Sequence, residues 1–468
     1  IANPTRTLAH HPLFQVMLVL QNNAEAGIEL GGFPARVDDL TVGTAKFDLS
    51  FTLHECHTAE GTPAGLNGFL TYATDLFERN TVETLVARLV RFLDAVAADA
   101  DRPVRSVDVL APEERADLLG AWSASPQEIA EASFVELFEE QVARGPQAVA
   151  VEFGDVSLSY AELNGRANQL ARWLVERGAG PEARVAVALP RSVEWLVAIL
   201  AVMKTGGAYV PVDPEYPADR IAYMLDNSDP VTVLTCAETA PELPAGVLPF
   251  LVEDIPLDAY ESGDLSDEDR TGPLLAQSPA YVIHTSGSTG RPKGVVVTHT
   301  GIAGLAHAQI HTLGVDAGSR VLQFASPSFD AASWEVVMAL LSGARLVLAT
   351  ATELMPGEPL ADVLARHHIT HATLPPTALT VLPDHALPDG MTLIVAGEAC
   401  PPAMVEKWST GRRMINAYGP TETTVCATMS QPLTGPVTPP IGTPLTNTQV
   451  YVLDAALQPV PVGVPGEL

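Results

Sequence analysis

Residues 281–297 read Tyr-Val-Ile-His-Thr-Ser-Gly-Ser-Thr-Gly-Arg-Pro-Lys-Gly-Val-Val-Val, and the rest of the chain is organised around them. Apolar flanks enclose a turn with three glycines, four hydroxyls and two cations. Glycines let the backbone direct several N–H groups at one anion, and hydroxyls with Lys293 add donors suited to phosphate oxygens. The stretch therefore predicts a triphosphate-binding loop, with a hairpin turn that binds nothing as the alternative. It is not of the Walker type, because Pro292 precedes the lysine and a strand-like run follows.

Composition limits the classes of protein to consider. The chain has 468 residues, of which 47% are apolar, so it can bury substantial cores in roughly three domain-sized units. Its 26 basic and 56 acidic residues give a net charge of −30, which argues against nucleic-acid or anionic-membrane partners. The four cysteines are scattered, so neither a zinc site nor a disulfide framework is indicated.

The composition also bears on location. No apolar run approaches the roughly 18 residues of a membrane span, and no signal peptide is visible, so we expect a cytoplasmic protein. Ile1 is not an ordinary first residue, which indicates that the chain is cut from a longer polypeptide.

Residues 1–100 read as strand, strand, strand, helix. The strands are predicted at 13–21, 46–53 and 68–77, and a capping box is expected from Asn80 and Glu83 at the helix start. Residues 101–130 form a connector. From 131 onward strands alternate with helices, which predicts an α/β unit with largely parallel sheets. One of these helices should be capped by Ser159 with Glu162.

Two polar segments follow the predicted phosphate loop. In residues 416–424 a Gly-Pro turn displays Tyr418, which could stack on a purine, Asn416, which could bond its edge, and Glu422, which could hold a hard cation. An ordinary surface turn is equally compatible with that spacing. Asp330 stands in a small, apolar setting where a carboxylate needs a partner, or caps the helix that follows it. The histidines near position 370 lack a glutamate at metal-site spacing, and we interpret them as structural.

Residues 285–294 resemble the phosphate loop of the adenylate-forming superfamily, in particular the adenylation domains of nonribosomal peptide synthetases. His284 stands where that family more often has an aromatic residue. Residues 158–163, 204–213 and 416–424 also resemble sequence motifs of that family. The resemblance implies the N-terminal core of an adenylation domain over 131–468, with mixed, largely parallel sheets and flanking helices.

Residues 12–21 and 45–49 resemble the C-terminal end of a condensation domain, an α/β region assigned to 1–100, with 101–130 as linker. His10 and His11 are not that family's catalytic pair, because Gln15 and Val16 stand where aspartate and glycine are required.

The resemblance implies a two-step reaction. ATP and Mg²⁺ convert an amino acid into an aminoacyl-adenylate, which then passes to the phosphopantetheine thiol of a downstream peptidyl carrier domain in the same synthetase module. Asp330 and the condensation-like region count against an acyl-CoA synthetase. Binding without turnover, an interaction role for 1–100, and a requirement for a small activator protein all stay open.

The resemblance also implies the site residues. The catalytic residues are Lys293, Thr421 and Glu422, with Glu422 as the metal ligand. The nucleotide-binding residues are Thr285, Ser286, Gly287, Ser288, Thr289, Gly290, Lys293, Asn416, Tyr418, Gly419 and Thr421. The substrate-binding residues are Asp330, Ala331, Trp334, Thr373, Ile394, Ala396, Ala417, Val425 and Cys426.

The predicted pocket favours phenylalanine. Its only charge, Asp330, is reserved for the substrate's α-ammonium, so a charged substrate side chain would be buried unpaired. Three alanines leave space, and the larger apolar residues form walls that suit a flat ring. The set also resembles the one that the family associates with phenylalanine. Tyrosine, tryptophan, a β-hydroxylated phenylalanine and leucine are the alternatives.

The resemblance finally implies that residues 1–468 alone are impaired. The family's C-terminal lysine, which contacts both substrate carboxylate and phosphate, would lie beyond Leu468, and the ribose-binding aspartate is missing too. Residues 262–265 mimic the ribose-binding motif but precede the phosphate loop, so we do not assign them that role.

Overall fold

The strands and helices form two units. The first comprises residues 1–118 together with 452–468, and the second comprises residues 119–451. The structure, a computed structural model, describes residues 13–22, 28–31, 33–35, 44–129, 131–286 and 290–468. The predicted non-catalytic pair His10 and His11 lies outside the described residues.

The first unit contains a three-stranded sheet and a long helix. Its elements are β1 (Val16–Gln21), β2 (Ile28–Leu30), β3 (Phe33–Ala35), β4 (Leu49–His57), β5 (Pro63–Tyr72), α1 (Arg79–Ala98) and α2 (Pro112–Leu119). Strand β4 lies in the centre, with β1 parallel on one side and β5 antiparallel on the other. The three predicted strands and the helix are present in the predicted order, although the third strand begins earlier and ends at Tyr72. The short antiparallel pair β2–β3 was not predicted.

The predicted capping box of α1 was wrong. The helix begins at Arg79, and its N-cap residue, Glu78, makes no side-chain cap hydrogen bond. Asn80 therefore lies inside the first turn. Glu83 accepts a hydrogen bond from Arg79 Nε at 2.7 Å, so its carboxylate is engaged one turn back along the helix. An i,i+4 ion pair has replaced the cap.

The second unit is built from two sheets. Its strands are β6 (Val149–Phe153), β7 (Val156–Ser159), β8 (Arg184–Ala188), β9 (Ala208–Pro211), β10 (Thr232–Thr235), β11 (Phe250–Leu251), β12 (Pro279–Ser286), β13 (Pro292–Thr298), β14 (Arg320–Leu322), β15 (Arg345–Leu348), β16 (His371–Leu374), β17 (Thr392–Val395), β18 (Arg413–Tyr418), β19 (Thr428–Met429) and β20 (Thr443–Pro444). Its helices are α3 (Phe134–Arg144), α4 (Tyr160–Val175), α5 (Val193–Thr205), α6 (Ala218–Ser228), α7 (Thr300–Ala308), α8 (Asp330–Leu340), α9 (Glu358–Arg366), α10 (Pro376–Thr380) and α11 (Pro402–Trp408).

Both sheets are mixed and largely parallel, as predicted. The six-stranded sheet has the order β11-β10-β8-β9-β12-β13, and only its β12–β13 pair is antiparallel. The nine-stranded sheet has the order β20-β19-β18-β17-β16-β14-β15-β6-β7, with antiparallel pairs at its two ends. One hydrophobic core takes side chains from both sheets and from α3, α4, α5 and α8. The α/β fold class is confirmed.

In this unit, local sequence patterns agree with the observed helices. The Ser159 hydroxyl accepts a hydrogen bond from the Glu162 backbone N–H at 3.2 Å, and the Glu162 carboxylate accepts one from the Ser159 backbone N–H at 2.8 Å. The predicted capping box is therefore present. Every residue of α5 except Glu194 is buried, as its apolar sequence indicates. In the part of the chain that the structure describes, no helix combines the length and apolar character that crossing a bilayer requires.

Two polar side chains to which the sequence analysis assigned no site role have partners within the fold. Asp264, in the segment that mimics a ribose-binding motif, accepts hydrogen bonds from Asn164 at 2.7 Å and Asn168 at 3.0 Å. His367 Nδ1 lies 2.8 Å from Glu152, which also pairs with Arg345 at 2.7 Å. Asn164 and Asn168 are buried, and buried polar groups require such partners.

A buried histidine accepts a backbone N–H at the start of α3. The Phe134 backbone N–H, at the first position of the helix, donates to His299 Nδ1 at 3.2 Å. His299 is fully buried, and burial lowers its pKa from 6.5 to about 4. The unfolded chain therefore binds a proton on this histidine at a higher pH than the folded chain does.

This histidine should make stability pH-dependent. We expect the free energy of unfolding to fall as pH drops from about 6.5 towards 4, by up to roughly 3 kcal/mol at ~1.4 kcal/mol per pKa unit. Urea unfolding across that range measures the slope. The dependence of the free energy of unfolding on pH should be weaker in His299→Asn. It should be unchanged in His385→Asn, which replaces an exposed histidine. An equal slope in wild type and His299→Asn would contradict the assignment.

Candidate functional site

The predicted phosphate loop connects two antiparallel strands. Thr285 in β12 lies opposite Lys293 in β13, and Ser286 lies opposite Pro292. Gly290 has φ +81°, a left-handed conformation that glycine adopts without strain. Gly287, Ser288 and Thr289 lie outside the described residues.

Thr285 carries an orphaned polar atom. Its Oγ1 is buried and has no hydrogen-bond partner among the described residues. A buried hydroxyl without a partner is costly, and a phosphate oxygen would satisfy it. His284, one residue earlier, is buried, and its Nε2 lies 3.0 Å from Asn227 Oδ1 in α6. The polar side chain of His284 is thus fixed by a hydrogen bond to a neighbouring helix.

The predicted phosphate cation and the predicted metal ligand form an ion pair. Lys293 Nζ lies 2.5 Å from Glu422 Oε1, with 57% and 44% of the two side chains exposed. This hydrogen bond lowers the pKa of the Glu422 carboxyl. The structure therefore brings residues 129 positions apart to one place.

Glu422 is compatible with a magnesium site. The part of the chain that the structure describes holds no cluster of three or more His, Cys, Asp or Glu residues suited to a metal. Mg²⁺ typically takes one or two carboxylates and completes its shell with water and substrate phosphates. One accessible carboxylate beside the phosphate hairpin fits that donor set.

A cavity of about 470 Å³ gathers most of the predicted substrate residues. Eight of the nine line it, namely Asp330, Ala331, Trp334, Thr373, Ala396, Ala417, Val425 and Cys426. Asn416, Tyr418 and Gly419, which were predicted to bind the nucleotide, line the same cavity. Beyond them β18 runs into a 3₁₀ turn, Thr421–Thr423, which carries Glu422.

Ile394 is the exception among the nine. It is fully buried in the hydrophobic core and is not among the residues that line the cavity. The same core also contains Trp334, Ala417 and Cys426, so Ile394 belongs to the packing of the pocket residues and not to its surface.

Asp330 is the first residue of α8 and not its cap. The N-cap position belongs to Phe329, which makes no side-chain cap hydrogen bond. The capping interpretation is therefore wrong. Burial raises the pKa of Asp330, which means that the free protein disfavours its charged form. A cationic ligand in the cavity would stabilise the charged carboxylate of Asp330.

The pocket walls are themselves hydrogen-bonded. Trp334 Nε1 donates to Thr373 Oγ1 at 2.9 Å, which fixes the indole ring. The Cys426 thiol donates to Thr428 O at 3.1 Å, and burial raises its pKa to about 12, so it is not a nucleophile. The Asn416 side chain donates to Pro440 O at 2.9 Å. These bonds leave the cavity surface chiefly apolar.

One wall has an unusual backbone. Thr424 and Val425 have φ +57° and +70°, in the left-handed region that β-branched residues avoid. Val425 lines the cavity. Thr424 fills the space beside Gly301, where an added Cβ would lie 2.6 Å from Thr424 Oγ1. Strain of this kind persists only where the surroundings impose it, and it is concentrated at functional sites.

Sequence reasoning missed part of the lining. Glu398, Ala399 and Cys400 line the cavity beside the expected Ala396. Glu398 is a second carboxylate there, and its oxygens accept from the Thr377 backbone N–H and hydroxyl, both at 3.1 Å. Their position immediately after a predicted pocket residue was the available signal.

The chain matches two family models. The AMP-binding enzyme model covers residues 138–468, and the condensation domain model covers residues 1–119. Over 466 residues it is 47% identical to CymA of Salinispora arenicola (strain CNS-205), described as a probable non-canonical nonribosomal peptide synthetase, with all of this chain and 6% of that protein aligned. It is 39% identical to bacitracin synthase 3 of Bacillus licheniformis, with 99% of this chain and 7% of that protein aligned.

A solved structure has the same fold. It is holo-AB3403, a four-domain nonribosomal peptide synthetase bound to AMP and glycine, with a TM-score of 0.79 and 25% identity. The match covers 99% of this chain and 35% of that chain. The chain spans 6% and 7% of the two relatives named above, so it corresponds to a small part of each.

Proposed function

Because the chain belongs to the nonribosomal peptide synthetases, with a condensation region followed by an AMP-binding region, we propose that residues 131–468 activate an amino acid with ATP. Residues 1–100 are then the end of a condensation domain, and 101–130 connect the two. One observation carries the proposal: the Asp330 carboxylate and the Asn416–Gly419 segment line one cavity, next to the turn that bears Glu422.

The proposed chemistry forms an aminoacyl-adenylate. An oxygen of the amino-acid carboxylate bonds to the α-phosphorus of ATP, the bond to the bridging oxygen breaks, and pyrophosphate leaves. Asp330 holds the α-ammonium, while Lys293 and the Thr285 hydroxyl bind phosphate oxygens. Catalysis of this kind relies mainly on positioning and charge neutralisation. Mg²⁺ held by Glu422 would neutralise further phosphate charge.

The second proposed step is transfer to a carrier. The acyl group leaves AMP and forms a thioester with the phosphopantetheine thiol of a downstream carrier domain. Cys426 is not a candidate for this acceptor, because its thiol is buried with a raised pKa. The acceptor in this proposal is therefore supplied from outside the described cavity.

We propose an aromatic substrate, phenylalanine first. The cavity of about 470 Å³ has small alanines at 331, 396 and 417, and the bonded Trp334–Thr373 pair supplies a flat wall. Glycine or alanine would leave much of this space unfilled. Mismatch by one methylene already shifts discrimination by roughly 1–3 kcal/mol.

A panel experiment tests the function. ATP–pyrophosphate exchange with each amino acid, on the full-length protein, should be fastest with phenylalanine or a close aromatic relative. Calorimetry on residues 1–468 reports binding separately from turnover. Fastest exchange with a small or charged amino acid would refute the substrate assignment, and exchange with none would refute the function.

Filling the cavity should remove aromatic binding. Ala331→Trp places the largest side chain against the proposed ring site, and overpacking typically costs ~1–3 kcal/mol, or roughly 5- to 150-fold in phenylalanine affinity. Calorimetry measures the effect. Ala237→Trp, at an exposed position outside the cavity lining, is the matched control and should bind normally. Unchanged affinity in Ala331→Trp would contradict the pocket assignment.

A further inference from the structure

A polar cluster holds the loop that precedes α8. Arg191 lies between β8 and α5, and its Nη2 donates to Phe324 O at 3.0 Å and to Ala325 O at 2.9 Å. Its Nε donates to Gln323 Oε1. One guanidinium therefore binds three consecutive residues that follow β14. None of these residues lines the cavity.

The other side of the loop is held by α8 itself. Glu335 is fully buried and accepts the Ala325 backbone N–H at 3.2 Å and Gln323 Nε2 at 2.9 Å. Gln323, also fully buried, donates a further bond to Ala325 O at 2.6 Å. The polar groups of the loop are thus shared between a helix of the pocket and an arginine from the loop that follows β8.

The cluster leads directly to Asp330. Residues 323–329 connect β14 to α8, and the Phe329 backbone N–H donates to Ser326 O at 2.9 Å, one residue before the carboxylate. Ser326 Oγ also lies 3.3 Å from Asp213 Oδ2, just after β9. Strands β8 and β9 belong to the six-stranded sheet, which also carries the phosphate hairpin, whereas β14 belongs to the nine-stranded sheet.

We propose that Arg191 is a positioning residue for amino-acid recognition. Its hydrogen bonds fix residues 323–325, the start of the loop that leads to Asp330, and thereby hold the Asp330 carboxylate relative to the sheet that carries Lys293. This inference rests on the proposed function and adds to it a residue outside the pocket. Sites of this kind lose binding when a supporting residue lets a ligand-binding group shift.

Arg412 provides a control for simple loss of stability. Its Nε donates to Leu387 O at 3.1 Å, and its Nη1 donates to Thr410 O at 3.0 Å. It thus fixes a loop through backbone carbonyls, as Arg191 does, but none of these residues lines the cavity or precedes a pocket helix. Arg412→Met should lower thermal stability and leave ligand binding unchanged.

The test compares Arg191→Met with Arg412→Met by calorimetry, with L-phenylalanine and with MgATP as ligands. We expect Arg191→Met to raise the phenylalanine Kd roughly tenfold, because buried acceptors lose their donor and the loop shifts. The MgATP Kd should not change, since the hairpin does not depend on the loop. Arg191→Lys keeps the charge but loses the planar guanidinium, so its phenylalanine Kd should lie between those of the unmodified protein and Arg191→Met.

Each outcome has a distinct meaning. An unchanged phenylalanine Kd in Arg191→Met, or an equal rise in Arg412→Met, overturns the inference. If Arg191→Met does not fold, Arg191→Lys and Ser326→Ala test the inference in its place. An unchanged phenylalanine Kd in both of these variants overturns the inference. An unmodified protein that binds no amino acid would overturn the proposed function and this inference together.

Discussion

Asp330→Asn is expected to lower amino-acid affinity by roughly 30- to 3000-fold. Removing one partner of a buried, hydrogen-bonded charge pair costs ~2–5 kcal/mol, and each ~1.4 kcal/mol is a factor of ten. Asparagine keeps the shape of the side chain, so the loss would report the charge alone. Calorimetry gives the Kd of phenylalanine, and exchange on the full-length protein gives kcat/KM.

The same substitution should not destabilise the fold. Burial raises the pKa of Asp330, so the folded protein without substrate disfavours the carboxylate, and a neutral amide removes that penalty. We therefore expect an equal or higher Tm together with the loss of binding. Glu398→Gln removes the other carboxylate of the cavity lining and is the matched control, with near-normal affinity expected. Near-normal binding in Asp330→Asn would refute the assignment of the α-ammonium site.

Lys293→Ala should have the second large effect, on the nucleotide. Removing one positioned donor that stabilises developing charge typically costs roughly 10²- to 10³-fold in rate. We expect a loss of that order in exchange and a clear loss of ATP affinity by calorimetry. Lys293 and Glu422 are both about half exposed, and exposed ion pairs contribute little to stability, so the Tm should hold.

Arg291 supplies the control for this prediction. It is a second cation of the same hairpin, yet among the described residues the ion pair with Glu422 is formed by Lys293 and not by Arg291. Arg291→Ala should therefore retain most of the ATP affinity. Equal losses in the two variants would mean that the hairpin attracts phosphate by its general charge, without a specific role for Lys293.

What the sequence predicts well here depends on neighbours along the chain. The Ser159 cap, the buried α5 and the two strands that flank the phosphate loop all follow from patterns within a few residues. Asn80 shows how such a pattern fails: Arg79 competes for Glu83, and the helix starts earlier. Local spacing cannot decide between two partners of similar strength.

The parts that escaped prediction depend on contacts between distant residues. Arg191 reaches a loop 132 to 134 positions away, and no periodicity links it to Glu335. The Lys293–Glu422 pair joins two predicted site residues, but no sequence pattern predicted that they would bind each other. Ile394 was assigned to the pocket by the family resemblance, although the structure buries it in the core.

The left-handed backbone at Thr424 and Val425 sets a limit on engineering. Replacing Thr424 with glycine would relieve the unfavourable φ, a conformation that costs on the order of 1–3 kcal/mol in residues other than glycine. The released segment would also let Val425, a cavity residue, move. A screen that selects only for heat resistance would therefore favour variants with a looser substrate wall. Stability and selectivity are in opposition at this position, so the two must be selected together.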